Sequence, residues 1–233
     1  MFTHKVDFLG HHISICGIEP DPKKVEQIVN WPVPTSMTEI HGFLGLVHYI
    51  ADFLPLLADY TQILTPLTHK SADLASPTWG GDHQVAFEKI KSLVVSANCL
   101  TMIDHDNMGK NCVFVTCDSS DWRTGTVLSY GLTWETACPI AFNSMALKAA
   151  QLHYPVHEKE LLAIIHMLQK WRSNLLSLPI TIYTDHQTLE NFDHQKDLSR
   201  CQACWQEFWC NMTMKSCIFW ASRTVLLMPY SGY

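Results

Sequence analysis

Tyr154-Pro155-Val156-His157-Glu158-Lys159-Glu160-Leu161-Leu162-Ala163-Ile164 decides how the second half of this chain is read. It opens a run in which Leu161, Leu162, Ile164, Ile165, Leu168 and Trp171 recur at helical spacing, and that spacing predicts a helix over 156–176. Upstream, residues 111–117 read as a buried-type strand. Residues 125–130 and 138–142 read as two more, spaced as in an antiparallel meander. Downstream, Ile180-Thr181-Ile182-Tyr183-Thr184-Asp185 is a strand ending in an acid, and a helix near 186–194 is expected to follow. Three strands, a helix, a strand and a helix predict an α+β class, with a mixed sheet and flanking helices.

The first half has a different grain and reads as mainly helical. Residues 6–15 predict two short strands around a turn near Gly10. Asp21-Pro22 supplies an N-cap and a proline at the first helical position, with Val25, Ile28, Val29 and Trp31 as the apolar face. Trp31-Pro32-Val33-Pro34 ends that helix. Ser36 and Glu39 suggest a capping box ahead of Ile40, Phe43, Leu44 and Val47. Another helix is expected over 83–96, its core face being Val85, Ala86, Phe87, Ile90, Leu93 and Val94, with 68–82 as a loop before it. The character changes near Asp104-His105-Asp106-Asn107, which places a domain boundary between 104 and 105 and leaves 209–233 as a divergent tail.

Composition narrows the function classes. The 233 residues are 47% hydrophobic and 11% aromatic, enough for a packed core and too apolar for a disordered chain. Apolar stretches such as Phe43–Ala51 fall short of the roughly 18 residues a membrane span needs. The first residues lack the apolar segment of a secretory signal, so an intracellular site (cytoplasm or nucleus) and free thiols are expected, and nine cysteines, an odd number, fit that expectation. A net charge of −6 argues against autonomous nucleic-acid binding, which rests on Lys and Arg.

Three acids stand where a metal site wants them. Asp118 ends the first strand of the second half, Glu160 lies in the first turns of the long helix, and Asp185 ends the fourth strand. Hard oxygen donors at one edge of a sheet suit Mg²⁺ or Mn²⁺ and two-metal phosphodiester hydrolysis. The plainer alternative is that strand-end acids are turn residues.

At these residues the chain resembles a known family. Thr116-Cys117-Asp118-Ser119-Ser120, the Tyr154–Ile164 stretch and Tyr183-Thr184-Asp185-His186 are similar to the ribonuclease H domain of gypsy-type LTR retrotransposon polyproteins. Phe8-Leu9-Gly10-His11-His12-Ile13-Ser14, Trp31-Pro32-Val33-Pro34, Phe43-Leu44-Gly45-Leu46, Pro66-Leu67-Thr68 and Ala86–Lys91 resemble the thumb and connection segment that follows the reverse-transcriptase palm. The resemblance covers residues 6–208. It implies a ribonuclease H-like domain over 105–208, preceded by the post-palm segment over 1–104. It further implies two-metal hydrolysis of RNA in RNA–DNA hybrids, with Asp118, Glu160 and Asp185 holding Mg²⁺ or Mn²⁺. Hybrid recognition would then rest on backbone shape and 2′-hydroxyls, with the missing palm as a partner and no membrane. Glu160 is favoured over Glu158 because it directly precedes Leu-Leu-Ala-Ile; Glu158 lies about 200° around the helix and is expected to be a solvated surface acid.

Two departures qualify that implication. No Tyr-x-Asp-Asp polymerase motif occurs, so this polypeptide alone is not expected to synthesise DNA. The family also ends in Asn-x-x-Ala-Asp-Ala, whose Asp is its fourth metal ligand. Here the match stops at Trp205-Gln206-Glu207-Phe208, and Met228 stands at the fourth acid's place. A thioether is a poor Mg²⁺ ligand, so activity is expected to be impaired, and a non-catalytic remnant or connection-like binding module is the alternative. Reading the tail's codons one base earlier turns Thr213 into Asp, Lys215 into Glu, Ala221 into Gly and Pro229 into Ala, because Met and Trp each have a single codon. Met228 becomes NAT, which admits Asp. Residues 224–230 can then read Asn-x-x-Ala-Asp-Ala-Leu, so a one-base frame change between Phe208 and Asn211 is expected.

Cys201-Gln202-Ala203-Cys204 with Cys210 and Cys217 admits a zinc-adaptor reading, but the spacing matches no common ribbon or knuckle. The resemblance offers another account. Cys138, Cys201, Cys204, His41, His48, His166 and Gln187 stand where relatives often carry Arg, each one base from an Arg codon. His153, His157 and His186 lie near the acids in sequence, with a surface role expected.

Overall fold

The computed structural model describes residues 5–14, 17–68, 79–97, 99–175, 178–184, 198–210 and 216–220, with the backbone alone at 200, 209, 210 and 216–220. Its contacts divide it into two compact units, Met1–Met102 with Ala141–Ala146, and Ile103–Ile140 with Leu147–Tyr233.

In the first unit β1 (Lys5–Phe8), β2 (His11–Ser14) and β3 (Gly17–Pro20) form an antiparallel meander in that order. The two strands flanking Gly10 are those expected. The third was not foreseen, since Gly-Ile-Glu-Pro is too short to display an alternation. Gly10 has φ +72°, and a Cβ there would lie 2.5 Å from the Tyr49 hydroxyl, so the turn requires glycine. That hydroxyl donates to the Leu9 carbonyl, His11 stacks on the Tyr49 ring, and Lys24 Nζ stands 4.4 Å from its centroid.

Helix α1 (Pro22–Val29) starts as its sequence dictates, with the Asp21 side chain accepting from the Lys23 N–H. Helix α2 (Met37–Tyr49) keeps half of the expected capping box. Ser36 Oγ accepts from the Glu39 N–H at 3.3 Å, but the Glu39 carboxylate accepts from the Thr35 N–H and hydroxyl at 2.7 and 3.1 Å. Helix α3 (Ala58–Leu64) was not anticipated. Helix α4 (Gly81–Val95) buries Ala86, Phe87, Ile90 and Val94, whereas Val85, assigned above to the core face, is 60% exposed. The helix begins inside the stretch read as a loop; residues 69–78 lie outside the described residues. Phe43 and Phe87, centroids 4.6 Å apart, are fully buried among Ile28, Ile40, Leu64 and Ile90. Each such side chain stabilises the fold by roughly 1.5–3 kcal/mol.

A second sheet has the order β6-β5-β4-β7-β8, from β4 (Cys112–Ser119), β5 (Arg123–Gly131), β6 (Cys138–Ala146), β7 (Ile180–Thr184) and β8 (Ser216–Trp220), and apart from Ala141–Ala146 of β6 it belongs to the second unit. β5 is antiparallel to β4, β7 is parallel to β4, and β8 is parallel to β7. This is the expected mixed sheet with flanking helices. α5 (Val156–Lys170) packs on β4 and β5 through a face that includes Leu161, Ile164 and Leu168. The expected single helix over 156–176 is two. Trp171 (φ −103°, ψ 19°) ends α5, and α6 (Arg172–Leu175) follows. α7 (Arg200–Cys210) packs on α5. Ile218, Phe219 and Trp220 lie in β8, with Ile182 opposite Ile218. The helix expected near 186–194 lies outside the described residues. Among the described residues no helix is long and apolar enough to cross a membrane.

Burial, with Lys148 adding a smaller effect, pushes His166 on α5 below the ordinary histidine pKa, and burial likewise lowers His11 on β2. With folded values below unfolded ones, the unfolded chain binds more protons below about pH 6.5. The stability these groups contribute is present above that pH and lost as pH falls through their folded values. The urea midpoint is therefore expected to drop from pH 7.5 to 5.0, and His166→Gln to shallow that slope. An unchanged slope in the variant would remove His166 from the account.

Candidate active site

Glu160 is the centre of the site and one of its least exposed side chains. It sits in the second turn of α5, only 1% exposed, on the face that packs against the sheet. A buried carboxylate needs hydrogen-bond donors, and this one finds them on two strands. Its Oε1 accepts from the Ser119 N–H at 2.8 Å and the Ser119 hydroxyl at 2.6 Å, and its Oε2 accepts from the Thr184 hydroxyl at 3.2 Å. Ser119 is the last residue of β4 and Thr184 the last of β7, which are parallel neighbours. The helix carboxylate thereby bridges the carboxyl ends of two adjacent strands.

Asp118 directly precedes Ser119. Its side chain is exposed at the end of β4, where its residue pairs with Gly125 of β5. Between the sheet and α5, the Cys117 thiol is fully buried and pushed well above its usual pKa, first by burial and then by the charges of Glu160 and Asp118. A thiol so placed is inert at neutral pH. Asp185 directly follows Thr184 in the sequence and lies outside the described residues, as does Met228.

Asp118, exposed at a strand end, and Glu160, buried on α5, offer hard anionic oxygens of the chemistry that suits Mg²⁺ or Mn²⁺. Among the described residues no three His, Cys, Asp or Glu side chains form a group that could hold a metal ion.

The neighbouring residues are sorted by the same geometry. Glu158 is partly exposed and accepts from the Ser199 hydroxyl at 3.2 Å. Lys159, only 5% exposed, was not singled out from the sequence. Its ammonium stands 3.2 Å from Asp121 Oδ1, in the turn between β4 and β5. A lysine between two glutamates carries no sequence signal of burial. His153 is exposed and His157 half-buried, while His186 lies outside the described residues.

The sequence profile of the RNase H-like domain found in reverse transcriptase matches residues 109–210. The chain is 35% identical over 193 residues to the retrovirus-related Pol polyprotein from transposon 297 of Drosophila melanogaster, covering 83% of this chain and 17% of that protein. It is 32% identical over 212 residues to the transposon Tf2-3 polyprotein of Schizosaccharomyces pombe, covering 88% and 15%. It thus spans about a sixth of the length of these relatives. Among solved structures, it is similar to the foamy viral protease-reverse transcriptase in complex with RNA/DNA hybrid (TM-score 0.76, 22% identity, 93% of this chain and 29% of that one). It is similar to the same protein in complex with dsDNA (TM-score 0.76, 20% identity, 96% and 46%). At these identities the structural likeness speaks for the fold.

Proposed function

We propose a function from this premise: the chain belongs to the polyproteins of LTR retrotransposons and carries the RNase H-like domain of their reverse transcriptases. In our reading the second unit is a ribonuclease H-type endonuclease for the RNA strand of RNA–DNA hybrids, with activity impaired by the tail. The observation that carries this reading is the grip on Glu160. The two residues that hold its carboxylate, Ser119 and Thr184, are the sequence neighbours of the two other candidate acids, Asp118 and Asp185.

Asp118, Glu160 and Asp185 would hold Mg²⁺ or Mn²⁺, and such ions when bound activate a water and stabilise the leaving oxygen of a phosphodiester. The rest falls to the chain itself. Ser119 and Thr184 fix the Glu160 carboxylate from two strands, so its position costs no rearrangement when substrate arrives. Asp118 presents its carboxylate at an exposed strand end. Recognition of the hybrid would rest on its shape and 2′-hydroxyls, and a chain of net charge −6 would bind it weakly without the rest of the polymerase. Met228, at the place of the family's fourth acid, is the reason for impaired activity.

The test is cleavage of a labelled RNA–DNA hybrid with Mg²⁺ or Mn²⁺, comparing the natural chain with Asp118→Asn. Weak cleavage that the variant lacks is the expected result. Equal signals from both would leave the alternative, a remnant that keeps the fold without the chemistry.

A further inference from the structure

The hold of α5 on the end of β4 extends beyond Glu160. Lys159, its neighbour in the sequence, donates from Nζ to the Asp121 carboxylate at 3.2 Å and to the Asp121 carbonyl at 3.4 Å. Asp121 lies two residues past Ser119, which donates to Glu160, in the turn joining β4 to β5. That turn is closed on itself, the Ser120 N–H donating to the Arg123 carbonyl at 2.9 Å and the Trp122 N–H to the Ser120 hydroxyl at 3.4 Å. The Leu147 N–H backs it, donating to the Trp122 carbonyl at 2.8 Å. The segment after Asp118 is thus gripped from α5 at Ser119 by an anion and at Asp121 by a cation. Stability does not account for an ammonium at the second point. Lys159 is 5% exposed, whereas the Asp121 side chain is 80% exposed. Taking a cation out of water is costly, and pairing it with a solvated carboxylate offsets little of that. A methionine would fill the same space with an unbranched apolar chain. What the ammonium adds is donors that fix the side chain and the main chain of one turn residue together.

We propose that Lys159 is a positioning residue of the candidate active site: it pins the β4–β5 turn to α5 and thereby fixes Asp118, which leads into that turn, relative to Glu160. The inference rests on the nuclease reading and deepens it. Lys159 acts through Asp121 and the strand end, not on the reacting atoms. A misplacement of about 1 Å in a group that serves the chemistry can cost about 100-fold in rate. A turn free to shift therefore slows the chemical step, while binding of the hybrid, spread over its backbone and 2′-hydroxyls, stays nearly unchanged.

The experiment compares the full natural chain with Lys159→Met, Lys159→Arg, Asp121→Ala and Lys170→Met, the last replacing an exposed lysine at the far end of α5. Cleavage of a labelled RNA–DNA hybrid is followed with Mn²⁺; amide hydrogen exchange over 118–123 and urea unfolding are measured without metal. Lys159→Met is expected to lower kcat by about 10- to 100-fold with KM within about 2-fold. Exchange of its Ser119, Ser120 and Trp122 amides is expected to quicken by about 10-fold, and its urea midpoint to hold or rise. Lys159→Arg, which keeps the charge and its donors, is expected to return kcat to within about 3-fold of the natural value. Asp121→Ala leaves the carbonyl in place and is expected to lower kcat by about 3-fold, and Lys170→Met to cleave as the natural chain does. Natural kcat in Lys159→Met, or unchanged exchange of the turn amides, overturns this inference alone. A natural chain that cleaves no better than Asp118→Asn overturns the nuclease reading and this inference with it. A lowered urea midpoint in Lys159→Met, with lost cleavage that Lys159→Arg does not restore, assigns the lysine to stability and overturns the positioning role.

Discussion

Glu160→Gln is expected to leave the second unit folded while taking hybrid cleavage to background, and Glu160→Ala to lose both cleavage and stability. The difference follows from the hydrogen bonds. A glutamine of the same shape can keep its amide oxygen on the Ser119 N–H and hydroxyl and turn its NH₂ toward the Thr184 hydroxyl, which then accepts. What it lacks is the negative charge. Alanine takes the shared acceptor away from the Ser119 N–H and hydroxyl, and a buried polar group without a partner costs about 1–3 kcal/mol. Relief of the buried charge offsets part of that, so a net loss of about 2–3 kcal/mol is expected in urea unfolding. Cleavage by Glu160→Gln at the natural rate would remove Glu160 from the chemistry. Glu160→Ala unfolding at the natural urea midpoint would refute the account of what holds it.

The sequence revealed the site's elements better than the joints between them. β4, β5, β7 and α5 are long or strongly patterned, and their apolar residues announced both the mixed sheet and the acids at its strand ends. What stayed hidden is of two kinds. Short elements such as β3 and α3 hold too few residues for a period to emerge, and β8 pairs with β7 through backbone groups that leave no alternation to read. Local switches also escaped notice. Glu39 turns to Thr35 because its carboxylate finds both an N–H and a hydroxyl there, and Trp171 divides one helical pattern into two segments. At the site, the motif singled out Glu160 but not its hold. That Ser119 and Thr184 converge on it depends on β4 and β7 being parallel neighbours, a tertiary fact with no local trace.

Re-encoding the chain from residue 212 onward one base earlier is expected to raise Mg²⁺-dependent cleavage by about 100-fold or more, the scale of several kcal/mol that a metal-held carboxylate contributes. Four residues of the re-read tail are forced by the single codons of Met and Trp. Thr213, Lys215, Ala221 and Pro229 become Asp, Glu, Gly and Ala, while the NAT codon at Met228 admits the acid that the family places there. The same shift makes Trp220 a leucine and Ile218 a tyrosine or histidine within β8. Because β8 meets β7 through parallel backbone pairing from Ile180↔Ser216 to Thr184↔Trp220, these side-chain changes leave the ladder's donors and acceptors in place. Gain of activity should therefore come from the restored carboxylate and not from a rebuilt sheet. A third chain, with the re-read tail but Asn at position 228, separates the two causes: it is expected to fold as the re-read chain does and to cleave as weakly as the natural one. Full activity in that chain would show that the tail acts through packing, and a gene whose next frame holds no Asn-x-x-Ala-Asp-Ala would end the frame-change account outright.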